Sequence, residues 1–467
     1  MRMKSDPHAK ASASTAGWWA LAVVVAAQFM FVVDAFIVNV AIPSIRADLH
    51  AGTAEIEGVL VAYQIAYAAL VITGGRLGDI LGRRRAFVAG VLAFTAASLW
   101  CGLAGSGVAL VLARTAQGAA AALMVPQVLA TIHVLFPDAG RGRAFAAFGI
   151  ALGLGGAVGF ALGGWLVTLD LAGLGWRAVF LVNLPVGIAI ALAARRLLPE
   201  VPRRPGTRLD LRGAAMLFVA LNCLIGPLTV GHELGWPAWL WAVAAAGAAG
   251  LLLFLRFERR LERGGGLPLL DLALLGDRRF LYGLGAAFSF SFGNVSFYLV
   301  VTLFAQGELG FSPLQAGLAV VPLALAFTVA SQLAGRWAQV GIRVLLWGSA
   351  VQFAGLVAVG GLAGFVTRPD MAVLMAALAV FGFGQGLVMA PLAGVVLATV
   401  RPAHAGSGAG LLNTVQQAAG ALGISLVAAA YFGGSVLAAV VVLLVSVLAT
   451  GGVLTQMRWA ERMMAPQ

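Results

Sequence analysis

Long apolar runs, parted by short polar joints, fill this chain from near its start to its end. A run of about 20 apolar residues is the length of a membrane-crossing helix, whereas barrel strands would alternate strictly over about 10. The pattern predicts fourteen spans: Trp18–Ile42, Glu57–Gly75, Ala86–Leu103, Gly107–Val134, Ala144–Val167, Arg177–Ala194, Gly213–Val230, Trp236–Leu255, Phe280–Leu303, Pro313–Leu333, Val344–Val366, Met371–Val400, Gly408–Phe432 and Gly434–Leu454. The expected fold class is therefore all-α integral membrane. The first run is too long for a cleaved signal and carries an acid, Asp34, so no leader is expected there. Two formal charges lie clearly inside the runs, Asp34 in the first and Arg114 in the fourth. A carboxylate at that depth is costly unless it is paired, protonated or facing water.

The joints are one-sided in charge. Arg76, Arg83, Arg84 and Arg85 follow the second span; Arg195, Arg196, Arg203, Arg204, Arg208 and Arg212 follow the sixth. Arg256, Arg259, Arg260, Arg263, Arg278 and Arg279 follow the eighth, against Arg46, Arg177 and Arg368 on the other side. The positive-inside rule then places the basic joints and both termini in the cytoplasm of a multi-pass protein of the plasma (inner) membrane. The same arginines serve as topology signals and headgroup contacts, so no nucleic-acid partner is expected.

Composition agrees and narrows the chemistry. Hydrophobic residues make up 61% and charged residues 10%, far outside soluble globular usage. The two lysines, Lys4 and Lys10, lie ahead of the first span, so neither a Walker A loop nor a buried Schiff-base lysine exists. The histidines are scattered and Cys101 and Cys223 are isolated, which leaves no metal motif and no disulfide framework. No nucleophile–base set is visible, and an enzyme is not expected. The expected energy source is an ion gradient or the substrate's own gradient, unless a partner supplies an ATPase, and no cofactor is expected.

The chain also repeats itself weakly. Gly75-Arg76-Leu77 with Gly82-Arg83-Arg84 follows the second span, and Gly335-Arg336-Trp337 with Gly341-Ile342-Arg343 follows the tenth. Gln117-Gly118 marks the fourth span and Gln385-Gly386 the twelfth. Matches eight spans apart fit six helices, two inserted helices and six more. The expected divisions are a tail over 1–17, a first bundle over 18–196, linkers with the inserted pair over 197–265, a second bundle over 266–455 and a tail over 456–467. Secondary transporters built this way hold their substrate between the halves.

At these residues the sequence resembles the fourteen-helix drug:proton antiporters (EmrB/QacA-like) of the major facilitator superfamily. Asp34-Ala35-Phe36-Ile37-Val38-Asn39-Val40-Ala41-Ile42-Pro43 is similar to that branch's first-helix motif, and Gly75 to Arg85 matches the superfamily loop motif. Arg114-Thr115-Ala116-Gln117-Gly118 resembles the fourth-helix motif, Gly155 to Gly164 the antiporter motif, and Trp176 to Pro185 the sixth-helix entry. The resemblance covers almost the whole chain. It implies a proton-coupled exporter of amphipathic or apolar small molecules, of the multidrug efflux and antibiotic-resistance type, working by alternating access. Its partners would be the small-molecule substrate, protons and the bilayer, with the monomer as the working unit. The antiporter motif is kept at Gly155, Gly159, Gly163 and Gly164, but Phe160 stands where the family has proline. That departure keeps a metabolite facilitator or symporter as the alternative, with a non-transporting receptor or scaffold behind it.

Residue by residue, Asp34 and Arg114 each fall roughly 10–12 Å below the outer face at 1.5 Å rise per residue, which allows a pair. The pair reads as a proton site whose occupancy follows the breaking and making of the contact, or else as a permanent packing ion pair. Gly75, Asp79, Gly82, Arg83 and Arg84 are the resemblance's cytoplasmic gate; the other reading is topology signalling alone. Asn413 and Gln417 lie on one small, polar face with Gly406, Gly410 and Gly420, as cavity lining or as close helix packing. Asn39, Gln117 and Asn294 are further candidates for a cavity wall.

Overall fold

A computed structural model describes residues 15–136, 140–200, 209–337, 340–366, 370–401 and 404–464. Arg203, Arg204, Arg208 and Arg368, with the outer parts of both expected tails, lie outside the described residues. Among the described residues, fourteen helices are long and apolar enough to cross a membrane. They are α1 (Thr15–Leu49), α2 (Thr53–Leu81), α3 (Arg83–Gly102), α4 (Gly107–Leu135), α5 (Gly142–Leu169), α6 (Gly175–Leu197) and α7 (Leu211–Leu234). The rest are α8 (Ala238–Arg263), α9 (Arg278–Glu308), α10 (Pro313–Arg336), α11 (Ile342–Phe365), α12 (Met371–Leu397), α13 (Gly406–Gly433) and α14 (Val436–Trp459). Each expected span falls on one of these helices.

The helices overrun the apolar windows because a helix ends at a stop signal, not at the edge of hydrophobicity. α1 runs through Pro43 to Leu49, and α8 continues past Leu255 to Arg263, carrying Glu258 with it. α2 ends at Gly82, whose φ of +95° suits a residue without a Cβ, and α3 starts at the next residue. α6 runs on through Val182, whose φ of −59° and ψ of −26° are helical and whose N–H bonds the Ala178 carbonyl at 3.1 Å. Pro185 has no N–H to give the carbonyl of Leu181, so the ladder lacks one bond there.

Lipid is as apolar as leucine, so contact between such helices comes from close fit rather than water exclusion. Glycines provide the fit. A Cβ at Gly118 on α4 would collide with the Tyr63 carbonyl on α2, and one at Gly386 on α12 with the Phe327 carbonyl on α10. These two Gln-Gly sites, eight helices apart, make the same kind of contact. Along the first part of the chain, α4 lies against α2 and α3, α1 against α5 and α6, and α3 against α6. Along the last part, α12 lies against α10 and α11, and α14 against α9 and α11, with α9 also beside α13. The two sets meet where α5 packs on α10 and α2 on α13. α7 and α8 pair with each other, and α7 also rests on α2 and α13.

Candidate functional site

Asp34 points into the first set of helices, not toward lipid. It is fully buried, at 0% exposure, and so is Arg114 at 1%. Arg114 donates from Nη1 to Asp34 Oδ2 at 2.7 Å. Gln117 Nε2 and Asn183 Nδ2 both donate to Asp34 Oδ1, at 2.8 and 2.7 Å. All three partners are N–H donors, so this arrangement holds the ionised carboxylate. α1, α4 and α6 thus converge on one acid.

A second layer holds the first. Ser98 on α3 accepts from Gln117 at 3.3 Å and Asn183 at 3.0 Å, and donates to the Phe180 carbonyl at 2.9 Å. Arg114 also donates to the Val59 carbonyl at 3.2 Å and to Gln117 Oε1 at 2.6 Å. Its guanidinium lies 4.2 Å from the Tyr63 ring centroid and 5.8 Å from that of Phe180, so cation–π attraction supplements the ion pair. Matched depth therefore brings the pair together, as the sequence pattern anticipates. Gln117 belongs to this network.

The later helices carry a neutral counterpart. Gln385 on α12, the repeat partner of Gln117, hydrogen bonds Asn294 and Tyr298 on α9. Gly382 stands three residues before Gln385, where Arg114 stands before Gln117. Charge is confined to the first network.

The other expected residues are placed as follows. Asn39 bonds the Ala35 and Phe36 carbonyls, and Asn413 the Ala409 carbonyl, each within its own helix. Gln417 is half-buried. Gly155, Gly159, Gly163 and Gly164 seat α5 on its neighbours: Cβ atoms there would press on Val32, Phe36, Ile37 and Pro313 respectively. The Phe160 ring meets Phe36 at 5.8 Å and Tyr298 at 5.4 Å, joining α1, α5 and α9. At the α2–α3 joint, Asp79 pairs with Arg83 at 3.6 Å, and Arg83 reaches the Ala130 carbonyl at 2.8 Å. Arg84 bonds the Leu198 carbonyl and Glu200. These contacts stay among α2, α3, α4 and the end of α6. Gly75 lies beside Pro126 of α4.

Sequence reasoning left Asn183 and Ser98 without a role. Asn183 lies in the quoted sixth-helix motif, and the packing of α6 on α1 sets it against Asp34. It also left out Glu57 on α2, buried at 1% with Oε2 lacking a partner. Gln28 Oε1, Tyr63 Oη, Gln64 Oε1 and Thr73 Oγ1 on α1 and α2 likewise have no hydrogen-bond partner.

A helical membrane protein with a buried ion pair where its helices converge, and close glycine contacts between two helix sets, has the build of a transporter. The family model of the Major Facilitator Superfamily matches residues 24–221 and 211–424, and the chain belongs to that superfamily. It is a transport protein and not an enzyme. It is similar to a probable actinorhodin transporter of Streptomyces coelicolor, 40% identical over 424 residues, which are 89% of this chain and 72% of that one. It is 37% identical over 437 residues to a cephamycin export protein, CmcT, of Amycolatopsis lactamdurans, covering 91% and 86% of the two chains. Further relatives are named as resistance and multidrug-resistance proteins, so the chain is related to antibiotic and multidrug exporters. The crystal structure of the human organic anion transporter MFSD10 superposes with a TM-score of 0.63 over 94% of this chain and 99% of that one. At 17% identity that likeness concerns the fold alone.

Proposed function

We propose that this protein is a proton-coupled exporter of amphipathic or apolar small molecules, working by alternating access, with Asp34 as the coupling carboxyl. The observation that carries the reading is the ionised Asp34 held by Arg114, Gln117 and Asn183 from α4 and α6, with a neutral amide network at the repeat-related place. A carboxylate bound by separate helices loses donors when those helices move, and a proton then replaces them. The relative named as a cephamycin export protein supports the outward direction of transport. The unpartnered atoms of Gln28, Tyr63 and Gln64 offer polar contacts to a substrate between the halves.

The halves are residues 18–196 and 266–455, six helices each, with α7 and α8 inserted, in the manner of the EmrB/QacA-like branch. The packing of α5 on α10 and α2 on α13 supports the division. The protein lies in the plasma membrane as a monomer, both termini cytoplasmic, with Gly75, Asp79, Gly82, Arg83 and Arg84 as the cytoplasmic gate. The test is a toxicity panel in an efflux-deficient host. The wild type should raise tolerance to several hydrophobic antibiotics, and Asp34→Asn should return it to the empty-vector level at equal membrane abundance. No protection from any compound by the wild type would count against export.

A further inference from the structure

The arginine-rich ends of the helices hold a second pair of buried acids. Asp210 caps α7, its Oδ1 accepting from the Gly213 amide at 2.8 Å, and it is 8% exposed. Glu258 lies in the last turns of α8 and is 0% exposed. The other buried residues of α8 are Leu240, Gly247 and Phe254, so Glu258 ends an otherwise apolar stripe. Glu258 Oε2 accepts from the Leu270 amide at 2.9 Å.

The remaining oxygens, Asp210 Oδ2 and Glu258 Oε1, have no donor from elsewhere in the protein. Both stand over Gly213: a Cβ there would strike Asp210 Oδ2 and lie 2.6 Å from Glu258 Oε1. Two unpartnered carboxylate oxygens do not crowd one buried point without a proton between them.

We infer that Asp210 and Glu258 share one proton and form a second proton-binding site, carried by the inserted helices. A shared proton leaves the pair with one negative charge. Arg76 on α2 balances it, for it bonds the Leu269 carbonyl, one residue before the Leu270 amide that holds Glu258. Arg76 also bonds the Leu267, Pro268 and Leu269 carbonyls of the segment that leads into α9. The protonated pair thus fastens α7, α8, α2 and that segment together. Loss of the proton puts two negative charges over Gly213 and drives the acids apart. Other charged groups at this end of these elements are Asp79 on α2, Arg212 on α7, Arg256, Arg259, Arg260, Glu262 and Arg263 on α8, and, in the segment before α9, Asp277 and Asp271, the latter paired with His404. The site stands whether or not Asp34 carries the coupling proton.

The test is infrared difference spectroscopy on the purified full chain during a pH titration. The wild type should show a protonated-carboxyl C=O band that vanishes as pH rises. Glu258→Gln and Asp210→Asn should each remove the same band, and proton uptake should fall by one per molecule. Gly213→Ala keeps both acids but forces them apart, and it should remove or strongly shift the band. A wild type with no such band overturns the inference, as does a band unchanged in Glu258→Gln and Asp210→Asn. A band unmoved in Gly213→Ala overturns the sharing, because the proton would then sit on one acid alone.

Discussion

The energetics of the Asp34–Arg114 pair can be read with a double-mutant cycle. Asp34→Asn removes the charge and keeps one acceptor oxygen, but three N–H donors converge on the site. The new amide N–H₂ therefore faces a donor in either flip. Arg114 is left charged, held by the Val59 carbonyl, Gln117 Oε1 and the Tyr63 ring. Breaking a buried pair from one side costs about 3–5 kcal/mol, and those surviving contacts place this case near about 3. Arg114→Met leaves Asp34 with the Gln117 and Asn183 amides alone, again at about 3 kcal/mol. With both changes no charge is stranded, and the oxygen of the introduced amide accepts from Gln117 and Asn183 while its N–H₂ faces the methionine. The double variant should lose about 2 kcal/mol, not the additive value of about 6, a coupling of about 4. Unfolding by titration with dodecyl sulfate, followed by tryptophan fluorescence, measures each corner. Independent sites add to within about 0.5 kcal/mol. Additivity at that level would refute the contact and the reasoning built on it.

Other substitutions probe separate parts of the account. Asp79→Asn removes the carboxylate that faces Arg83 at 3.6 Å; transport in membrane vesicles should fall while an immunoblot shows wild-type abundance. Gly118→Ala presses a methyl against the Tyr63 carbonyl and should cost about 1–3 kcal/mol of stability. Gly149→Ala enters open space and should leave the melting temperature of the purified protein unchanged, which makes it the matched control.

The spans were legible because a bilayer demands one simple pattern, and fourteen runs became fourteen helices. The Asp34–Arg114 contact was legible from matched depth on two helices. What lay beyond reach depended on where helices stop and turn. Glu258 sits past the apolar window of its span, yet α8 continues and buries it against α7. Asn183 reaches Asp34 because α6 packs on α1, a pairing that no periodicity shows. Gln117 has the same polarity whether it faces a cavity or an acid, and only the placement of α1 distinguishes the two. The glycines of α5 were legible as a motif, but which neighbour each one meets is a property of the assembled helices.

Proton coupling through Asp34 is tested most directly by substrate-driven proton flux in proteoliposomes. The wild type should move protons against substrate. Asp34→Asn should exchange substrate across the membrane while moving no protons and building no gradient. Proton movement by Asp34→Asn at the wild-type ratio to substrate would place the coupling site elsewhere and contradict the assignment.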